Sequence, residues 1–303
     1  MNSSVTPCRM QGLGGAAGFS PGTLGSLGGG TGGAGGGAVP FFGLREAATG
    51  LVGEFYDLKQ TKDLKPTDMA VTEEEKTTNM PVKGWSGAPE SLKYRETLKH
   101  FVSSSWNAAA LEKFYKAPNK LTTTQIFIPH TLAAEAPKAF GVDQNVSPRR
   151  WVVHYSGEVI PPKSGRFRFV GIGDDVLMVR INGRNVLDAN WNGVRVLPEL
   201  GTEEPGTDHL RGGVWFELHA GERVKMDALI GENPGGHCMA VLFIDEQAAK
   251  NPPGDYALFL LKDLPVADVL HGKKFANYTG KKLVFASPDS RSFFNHPLPG
   301  GPR

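Results

Sequence analysis

Two short polar stretches of the sequence carry side chains that could do chemistry. In the first, Gly173-Asp174-Asp175, two carboxylates are adjacent. Paired carboxylates can mark a functional site, although aspartates in turns also commonly accept hydrogen bonds from backbone amides. The second stretch combines oxygen-bearing side chains with an indole ring, at Asp188, Asn190, Trp191 and Asn192. The strands around the two stretches must decide whether they meet.

The second stretch also matches part of a calcium-binding EF-hand loop. The pattern Asp188-x-Asn190-x-Asn192-Gly193 is followed by Glu199 at the twelfth position. An EF-hand needs flanking helices, whereas here a strand-like run leads in, Arg195 takes the usually apolar eighth position and Pro198 precedes the acid. These departures favour a calcium contribution of another kind over an EF-hand.

The arrangements of common catalytic sites are missing from the sequence. No two histidines have the His-x-x-x-His spacing of a zinc protease, so His154, His219 and His237 are predicted to be scattered. The strand-elbow-helix nucleophile of a serine hydrolase is absent, since the one Gly-x-Ser-x-Gly run, at Gly18–Gly22, lies in a glycine-rich stretch with no predicted strand or helix beside it. A glycosidase needs two carboxyl groups about 5 to 10 Å apart across one bond, and the adjacent Asp174 and Asp175 are poorly placed for that. We therefore expect a protein that is not an enzyme.

Charge and hydropathy favour neutral or modestly polar partners. The 33 Lys and Arg residues nearly balance 31 Asp and Glu residues, and the formal net charge is +2, which predicts neither nucleic-acid nor anionic-membrane binding. No run approaches the roughly 18 apolar residues of a membrane span, and no signal peptide is visible at the N-terminus. The two distant cysteines, Cys8 and Cys238, indicate unpaired thiols.

Three regions are predicted along the chain. Residues 1–40 form a disordered, glycine-rich tether, because half of the residues from Gln11 to Ala38 are glycine and little apolar surface offsets the chain entropy. Residues 41–246 form a β-domain with a helical insertion at about 89–118. Residues 247–303 form a partly ordered C-terminal extension with a frayed end.

Two short helices are expected in the insertion. Leu98, Phe101 and Val102 have helical spacing. Asn107 is placed to cap a second helix, which would carry Leu111, Phe114 and Tyr115. Both helices should pack on the sheets.

Short strands separated by turn residues dominate the rest of the β-domain. Arg166-Phe167-Arg168-Phe169 alternates charged and aromatic residues, as is typical of an antiparallel sheet with one wet face. Asn182-Gly183 lies between two such runs and predicts a hairpin. The predicted fold class is therefore all-β, an antiparallel β-sandwich. Its strands are predicted at 50–57, 125–129, 151–160, 166–171, 176–181, 184–188, 213–219, 223–230, 238–245 and 256–261, the last followed by a short helical piece.

Strand order places the two polar stretches at one rim. The three short strands predicted between residues 166 and 188 form a meander, in which successive connections lie at opposite ends of the strands. Asp174-Asp175 and the segment 188–193 are therefore expected at one rim of the sheet, and Asn182-Gly183 at the opposite rim. We therefore predict that Asp188, Asn190 and Asn192 supply oxygen ligands there. Trp191 would provide a ring on which a sugar face can stack.

The motifs of this region follow one another in a specific order. Gly157–Phe169 brings a proline-glycine approach, Gly173–Leu177 holds the Asp-Asp corner, and Ile181–Asp188 holds the Asn-Gly hairpin. Further landmarks are Leu51–Tyr56 and Leu218–Val224. Over roughly residues 50 to 246 this order resembles the protective-antigen-type, or PA-fourteen, family. The helical insertion and the tail after residue 245 are not part of that family's common core.

The resemblance implies a β-sandwich found in adhesins, toxins, glycosidases and other surface proteins, often recognising carbohydrate. In the fungal adhesin branch, two consecutive aspartates joined by a cis peptide hold calcium with an asparagine of a later loop, and sugar hydroxyls complete the shell. The matching residues here are Asp174, Asp175 and Asn233. Calcium takes six to eight hard oxygen ligands, which suits two carboxylates and displaceable hydroxyls.

Three functions remain open from the sequence. The leading hypothesis is a non-catalytic carbohydrate-binding or adhesion module, calcium-assisted, secreted or at the cell surface, with a glycan or surface protein as its partner. The alternative is a structural or protein-interaction β-sandwich that binds neither sugar nor metal. A third is an accessory domain of a larger envelope enzyme. The extracellular or envelope location is an implication of the resemblance alone.

Overall fold

The computed structural model describes most of the chain beyond the predicted tether. The described residues are 40–45, 47–78, 87–205, 207, 209–233, 236–247, 255–271, 275 and 278–288. The predicted tether before residue 40 and the predicted frayed end after residue 288 lie outside these ranges. No helix among the described residues has the length and apolar character needed to cross a membrane.

Two sheets form the body of the protein. The first has six strands in the order β2 (Phe114–Thr123), β1 (Leu51–Thr61), β4 (Trp151–Val159), β11 (Val224–Glu232), β6 (Val176–Ile181) and β7 (Arg184–Asp188). The second sheet has eight strands. Six of them follow the order β14 (Lys282–Val284), β13 (Ala257–Leu260), β12 (His237–Glu246), β5 (Gly165–Asp174), β9 (Arg211–Gly212) and β8 (Thr202–Glu203). The other two are β10 (Phe216–Leu218), which pairs with β5, and β3 (Phe127–Leu132), which pairs with β12. Among the described strands, all pairs are antiparallel except β13 with β14. The all-β sandwich expected from the sequence is thus observed.

The core follows from the two-residue period of the strands. Along β11, Met226, Ala228 and Ile230 point into the cluster between the sheets. Leu229 points to the opposite face of the first sheet, into a second cluster. The outer face of the second sheet is covered by a third cluster that includes Tyr256 and residues of the C-terminal segment. Apolar side chains are therefore buried on both faces of each sheet.

Helices contribute little to the architecture apart from one. α2 (Pro89–Ser103) starts with proline in its first turn and Glu90 near its N-terminus, which suits the free amides and the dipole there. Its buried residues Tyr94, Leu98 and Phe101 form a stripe at helical spacing that packs on the outer face of the first sheet. The other helices are α1 (Glu73–Thr78), α3 (Glu135–Ala139) and α4 (Val266–Leu270), and 3₁₀ turns occur at Ala108–Leu111, Asn192–Val194 and Pro198–Leu200.

The second predicted helix of the insertion is wrong beyond its first turn. Asn107 does cap a turn, accepting a hydrogen bond from the Ala109 amide at 3.0 Å, but the turn ends at Leu111 and Phe114 begins β2. Three apolar residues at short spacing fit a helix or a strand equally well. Pairing with β1 decides the outcome, and Pro118 is tolerated because β2 is at the edge of its sheet.

The predicted meander is also corrected. β6 and β7 form the expected hairpin, with bounds equal to those predicted, and Asn182 and Gly183 both have positive φ (46° and 82°). β5 belongs to the other sheet, however, so the connection from β5 to β6 crosses the sandwich. Each strand still reverses the direction of the one before, which keeps the ends of β5 and β7 at one rim.

Part of the C-terminal extension completes the sandwich. β13 pairs with β12, and β14 continues the same sheet. Phe285 is buried between the sheets, and the Ser287 hydroxyl accepts a hydrogen bond from the Gly50 amide at 3.1 Å. The described residues from 255 onward are therefore an integral part of the fold. α4 confirms the short helical piece expected there.

Candidate cation and ligand site

The chain turns sharply from the end of β5 into β6 over Gly173, Asp174 and Asp175. The Asp174-Asp175 peptide bond is cis. A Cβ atom at Gly173 would lie 2.4 Å from the Leu177 backbone nitrogen, far inside van der Waals contact, so the chain can approach itself this closely only at glycine. The corner therefore presents two consecutive carboxylates where the chain passes from one sheet to the other.

Both carboxylates of the corner lie in a desolvated environment. Asp175 is 2% exposed, and its burial together with the Asp174 charge raises its pKa well above the usual range, against a hydrogen bond from the Asn233 amide. Asp174 is partly exposed; burial raises its pKa as well, while nearby His130 and His237 act in the opposite direction. Within the described part of the chain, no hydrogen bond or ion pair reaches the Asp174 carboxylate. The negative charge at the corner is thus poorly compensated.

Asn233 converges on the same corner. It follows the last residue of β11 and is fully buried. Its backbone amide donates to Asp175 Oδ2 at 2.8 Å. Its side-chain Oδ1 lies 3.4 Å from the Ser91 hydroxyl, while its Nδ2 is buried without a hydrogen-bond partner among the described residues. The three residues expected from the resemblance are therefore brought together.

The second polar stretch lies directly against the corner. The Trp191 amide donates to the Asp175 carbonyl oxygen at 2.7 Å, and the Gly173 amide donates to the Ala189 carbonyl oxygen at 2.9 Å. The shared rim expected from strand order is present, although the strands belong to different sheets.

Asp188 and Asn190 are not free ligands on this rim. Both are fully buried. The Asp188 carboxylate accepts hydrogen bonds from the backbone amides of Asn190, Val196 and Leu197 at 3.1, 2.9 and 2.6 Å. The Asn190 side chain accepts from the Leu177 amide at 2.9 Å and donates to a loop carbonyl oxygen at 3.2 Å. The prediction that these two side chains contact a ligand is corrected, because their polar atoms are occupied by the backbone of their own loop and of β6.

Trp191 and Asn192 remain accessible from solvent. Trp191 is partly exposed and its ring meets His209 edge-on, with centroids 6.1 Å apart. Asn192 is exposed, and its Oδ1 accepts from Arg211 Nη2 at 2.9 Å. Glu199, the last position of the EF-hand-like pattern, is exposed in a 3₁₀ turn. The loop does not have EF-hand flanking helices, in agreement with the sequence interpretation.

Sequence reasoning missed several groups around the corner. Ser91 and Tyr94 of α2 are buried beside it, and the Tyr94 hydroxyl donates to the Trp151 carbonyl oxygen at 3.1 Å. Burial, together with the charges of Asp175 and Glu232, raises the pKa of Tyr94. His130 and His237 stack in parallel, with centroids 4.7 Å apart. No local sequence signal links a helix at residue 91 to a turn at residue 174.

The donor set fits a hard cation but does not complete its coordination shell. Two carboxylates and a side-chain amide provide oxygen ligands of the kind that calcium prefers. Among the described residues, no group of three or more His, Cys, Asp or Glu side chains is placed to hold a metal ion. Three protein residues fall short of six to eight oxygens, so water or ligand hydroxyls would have to supply the rest.

The comparisons with known proteins find similarity among solved structures. No family model matches the sequence, and no curated protein matches it. Among solved structures, the chain is similar to a PA14 sugar-binding domain from an RTX adhesin, with 15% identity and a TM-score of 0.37, covering 70% of this chain and 96% of that chain. It is also similar to the PA14 domain of the MpAFP antifreeze protein (12%, TM-score 0.37, 69% and 86%). A third similar structure is the A domain of Epithelial Adhesin 6 from Candida glabrata in complex with Galβ1-3GlcNAc (12%, TM-score 0.35, 84% and 94%). PA14 is the family that the sequence motifs resemble.

Proposed function

We propose that this protein is a non-catalytic module that binds a glycan through calcium held at the Asp174-Asp175 corner. The observation that carries the proposal is the combination of two poorly compensated carboxylates with a buried Asn233 amide nitrogen that has no partner among the described residues. Burying ionised groups without partners is strongly unfavourable. A divalent cation at this corner would neutralise the carboxylates and order the amide.

A glycan would complete the site from the solvent side. Asp174 is partly exposed, so the corner is open there. Vicinal sugar hydroxyls are hard oxygen donors that can replace water around calcium. Trp191 and Asn192 flank the corner and are accessible to the ligand, whereas Asp188 and Asn190 serve to hold the loop. Two adjacent carboxylates on one corner do not flank a glycosidic bond, which supports binding without catalysis.

The small number of protein ligands also bears on the calcium concentration at which the site would be occupied. Few protein ligands and an open coordination shell are expected to give weak calcium binding, in the range of about 10⁻⁴ to 10⁻³ M that extracellular modules use. A secreted or cell-surface location with abundant calcium would suit that affinity.

Calcium titration tests the proposal directly. The full chain would be examined by calorimetry and by thermal unfolding, with calcium and with chelator. At a calcium concentration about 10 to 100 times Kd, we expect stabilisation of about 1.4 to 2.7 kcal/mol, or a rise in Tm of roughly 3 to 10 °C. Asp175→Asn should abolish this response, and Asp143→Asn, a change of an exposed aspartate elsewhere, should preserve it.

A glycan array under the same conditions tests the second half of the proposal. Binding to at least one glycan should disappear with chelator and with Asp175→Asn. A wild-type protein that shows no calcium response and no glycan binding would instead support the structural or protein-interaction alternative.

A further inference from the structure

The helical insertion reaches the proposed cation site through its first turns. Ser91 lies at 3% exposure near the N-terminus of α2, and Tyr94 is fully buried one turn later. Both side chains approach the end of β11, where Asn233 bends toward the Asp174-Asp175 corner. A segment outside the resembling core therefore forms the back wall of the site.

Tyr94 fixes the position of this wall. A Cβ atom at Gly231 would lie 2.3 Å from the Tyr94 hydroxyl oxygen and 2.9 Å from the Trp151 carbonyl oxygen. The hydroxyl thus occupies the space left by glycine, and its hydrogen bond to Trp151 holds it there. Because residues three apart lie on the same face of a helix, Ser91 is held opposite Asn233.

The Asn233 amide has two orientations related by a half-turn about its Cβ–Cγ bond. In the observed orientation the Ser91 hydroxyl donates to Oδ1, and Nδ2 has no partner among the described residues. A buried donor without a partner is unfavourable, because it has lost its hydrogen bonds to water and gained none in return. In the other orientation Nδ2 donates to the Ser91 hydroxyl, which can also accept. Oδ1 is then directed to the place where Nδ2 now stands, free to bind a cation.

We propose that Ser91 is a positioning residue for calcium binding: its hydroxyl accepts a hydrogen bond from Asn233 Nδ2 and thereby turns Asn233 Oδ1 toward the cation. This inference rests on the proposed function, since it assigns a role at the same site. Ser91 itself does not touch the cation. It acts through Asn233, as residues that orient metal ligands from behind commonly do.

Calcium affinity of four variants tests the assignment. Removing an orienting partner commonly weakens metal binding by roughly 10-fold or more, so Ser91→Ala should raise the calcium Kd about 10-fold in calorimetry. Ser103→Ala serves as the control, because Ser103 is on the same helix but exposed, and its hydroxyl donates to a carbonyl of its own helix. It should leave Kd unchanged. In an Asn233→Ala background, Ser91→Ala should change Kd less than about 2-fold, since the two residues act as one unit.

Each outcome has a distinct meaning. If Ser91→Ala binds calcium like the wild type, or if its 10-fold loss persists in the Asn233→Ala background, the positioning role is overturned while the proposed function stands. If the wild type shows no calcium response, the proposed function fails and this role fails with it. Thermal unfolding in chelator checks that each variant is folded. Ser91→Cys, which has nearly the same shape, replaces Ser91→Ala if that variant does not fold, with the same expected loss.

Discussion

Two buried aspartates, Asp175 and Asp188, lie at the same rim of the sandwich and differ in how their carboxylates are hydrogen-bonded. Asp188 accepts three backbone hydrogen bonds, from Asn190, Val196 and Leu197. Asp175 accepts one, from Asn233, and lies beside the charge of Asp174. A carboxylate whose lone pairs are occupied organises a loop, whereas one left with spare lone pairs is suited to bind a cation. Residue type alone does not separate the two roles.

Changing Asp188 should produce the largest effect on stability. Asp188→Asn leaves a single side-chain oxygen for three amides and replaces the other with a donor that faces donors. We expect a loss of about 2 to 4 kcal/mol in the free energy of unfolding. Urea unfolding in chelator and in calcium should show the same loss. A loss that appears only with calcium would assign Asp188 to the cation site after all.

A substitution of Gly231 on β11 tests the packing of Tyr94 behind the Asp174-Asp175 corner. Gly231→Ala would drive a methyl group against the Tyr94 hydroxyl and the Trp151 carbonyl, so we expect a loss of about 2 kcal/mol together with weaker calcium binding. Gly87→Ala is the matched control, since a Cβ at Gly87 would meet nothing within 4 Å. Its unfolding free energy should change by less than about 0.5 kcal/mol. Equal effects of the two substitutions would contradict the packing described for Tyr94.

Substitution of Trp191 tests the proposed glycan contact separately from the proposed cation site. Trp191→Ala should weaken glycan binding by about 10-fold, because a stacking ring of this kind is worth about 1.4 kcal/mol. The calcium-induced rise in Tm should persist. Trp215→Ala provides a control, as Trp215 stacks on Arg168 with its ring centroid 4.9 Å from the guanidinium. Unchanged binding of every glycan that the wild type recognises would remove Trp191 from the site.

Glu54 is a carboxylate that is paired with two lysines, and its substitution has the smallest expected effect on stability. Partial burial would raise its pKa, but hydrogen bonds and charges from Lys116 and Lys120 lower it to about 2. A depressed carboxylate pKa stabilises the fold fully above about pH 4.5, and this contribution is lost as the pH falls through about 2. After allowance for solvent screening, Glu54→Gln should cost about 1 kcal/mol at pH 7.

The pH dependence of that cost is its check. The difference in unfolding free energy between Glu54→Gln and the wild type should shrink from pH 7 toward pH 3, while calcium binding at the corner remains unchanged. A cost that does not vary with pH would show that the two lysines do not stabilise the carboxylate.

Local sequence patterns predicted most of the fold. Alternation and turn residues placed ten strands, and the Asn182-Gly183 hairpin has the backbone conformation that its residues favour. The pattern failed where two structures compete for the same residues, as at Phe114, which pairing with β1 draws into a strand. It also missed the two- and three-residue strands such as Thr202–Glu203 and Lys282–Val284, which are too short to show a period and exist only because a neighbour pairs with them.

At the candidate site, too, local sequence and tertiary structure each accounted for different features. The sequence by itself determined Asp174, Asp175 and Asn233 only as the ligands that the family resemblance implies, and it predicted through the parity of strand direction that the loop at 188–193 shares their rim. Only the tertiary structure decided that Asp188 is saturated by its own loop and that Ser91 stands behind Asn233. Hydrogen-bond satisfaction depends on atoms that are distant in the chain and adjacent in space, and for that reason no local pattern of residues can report it.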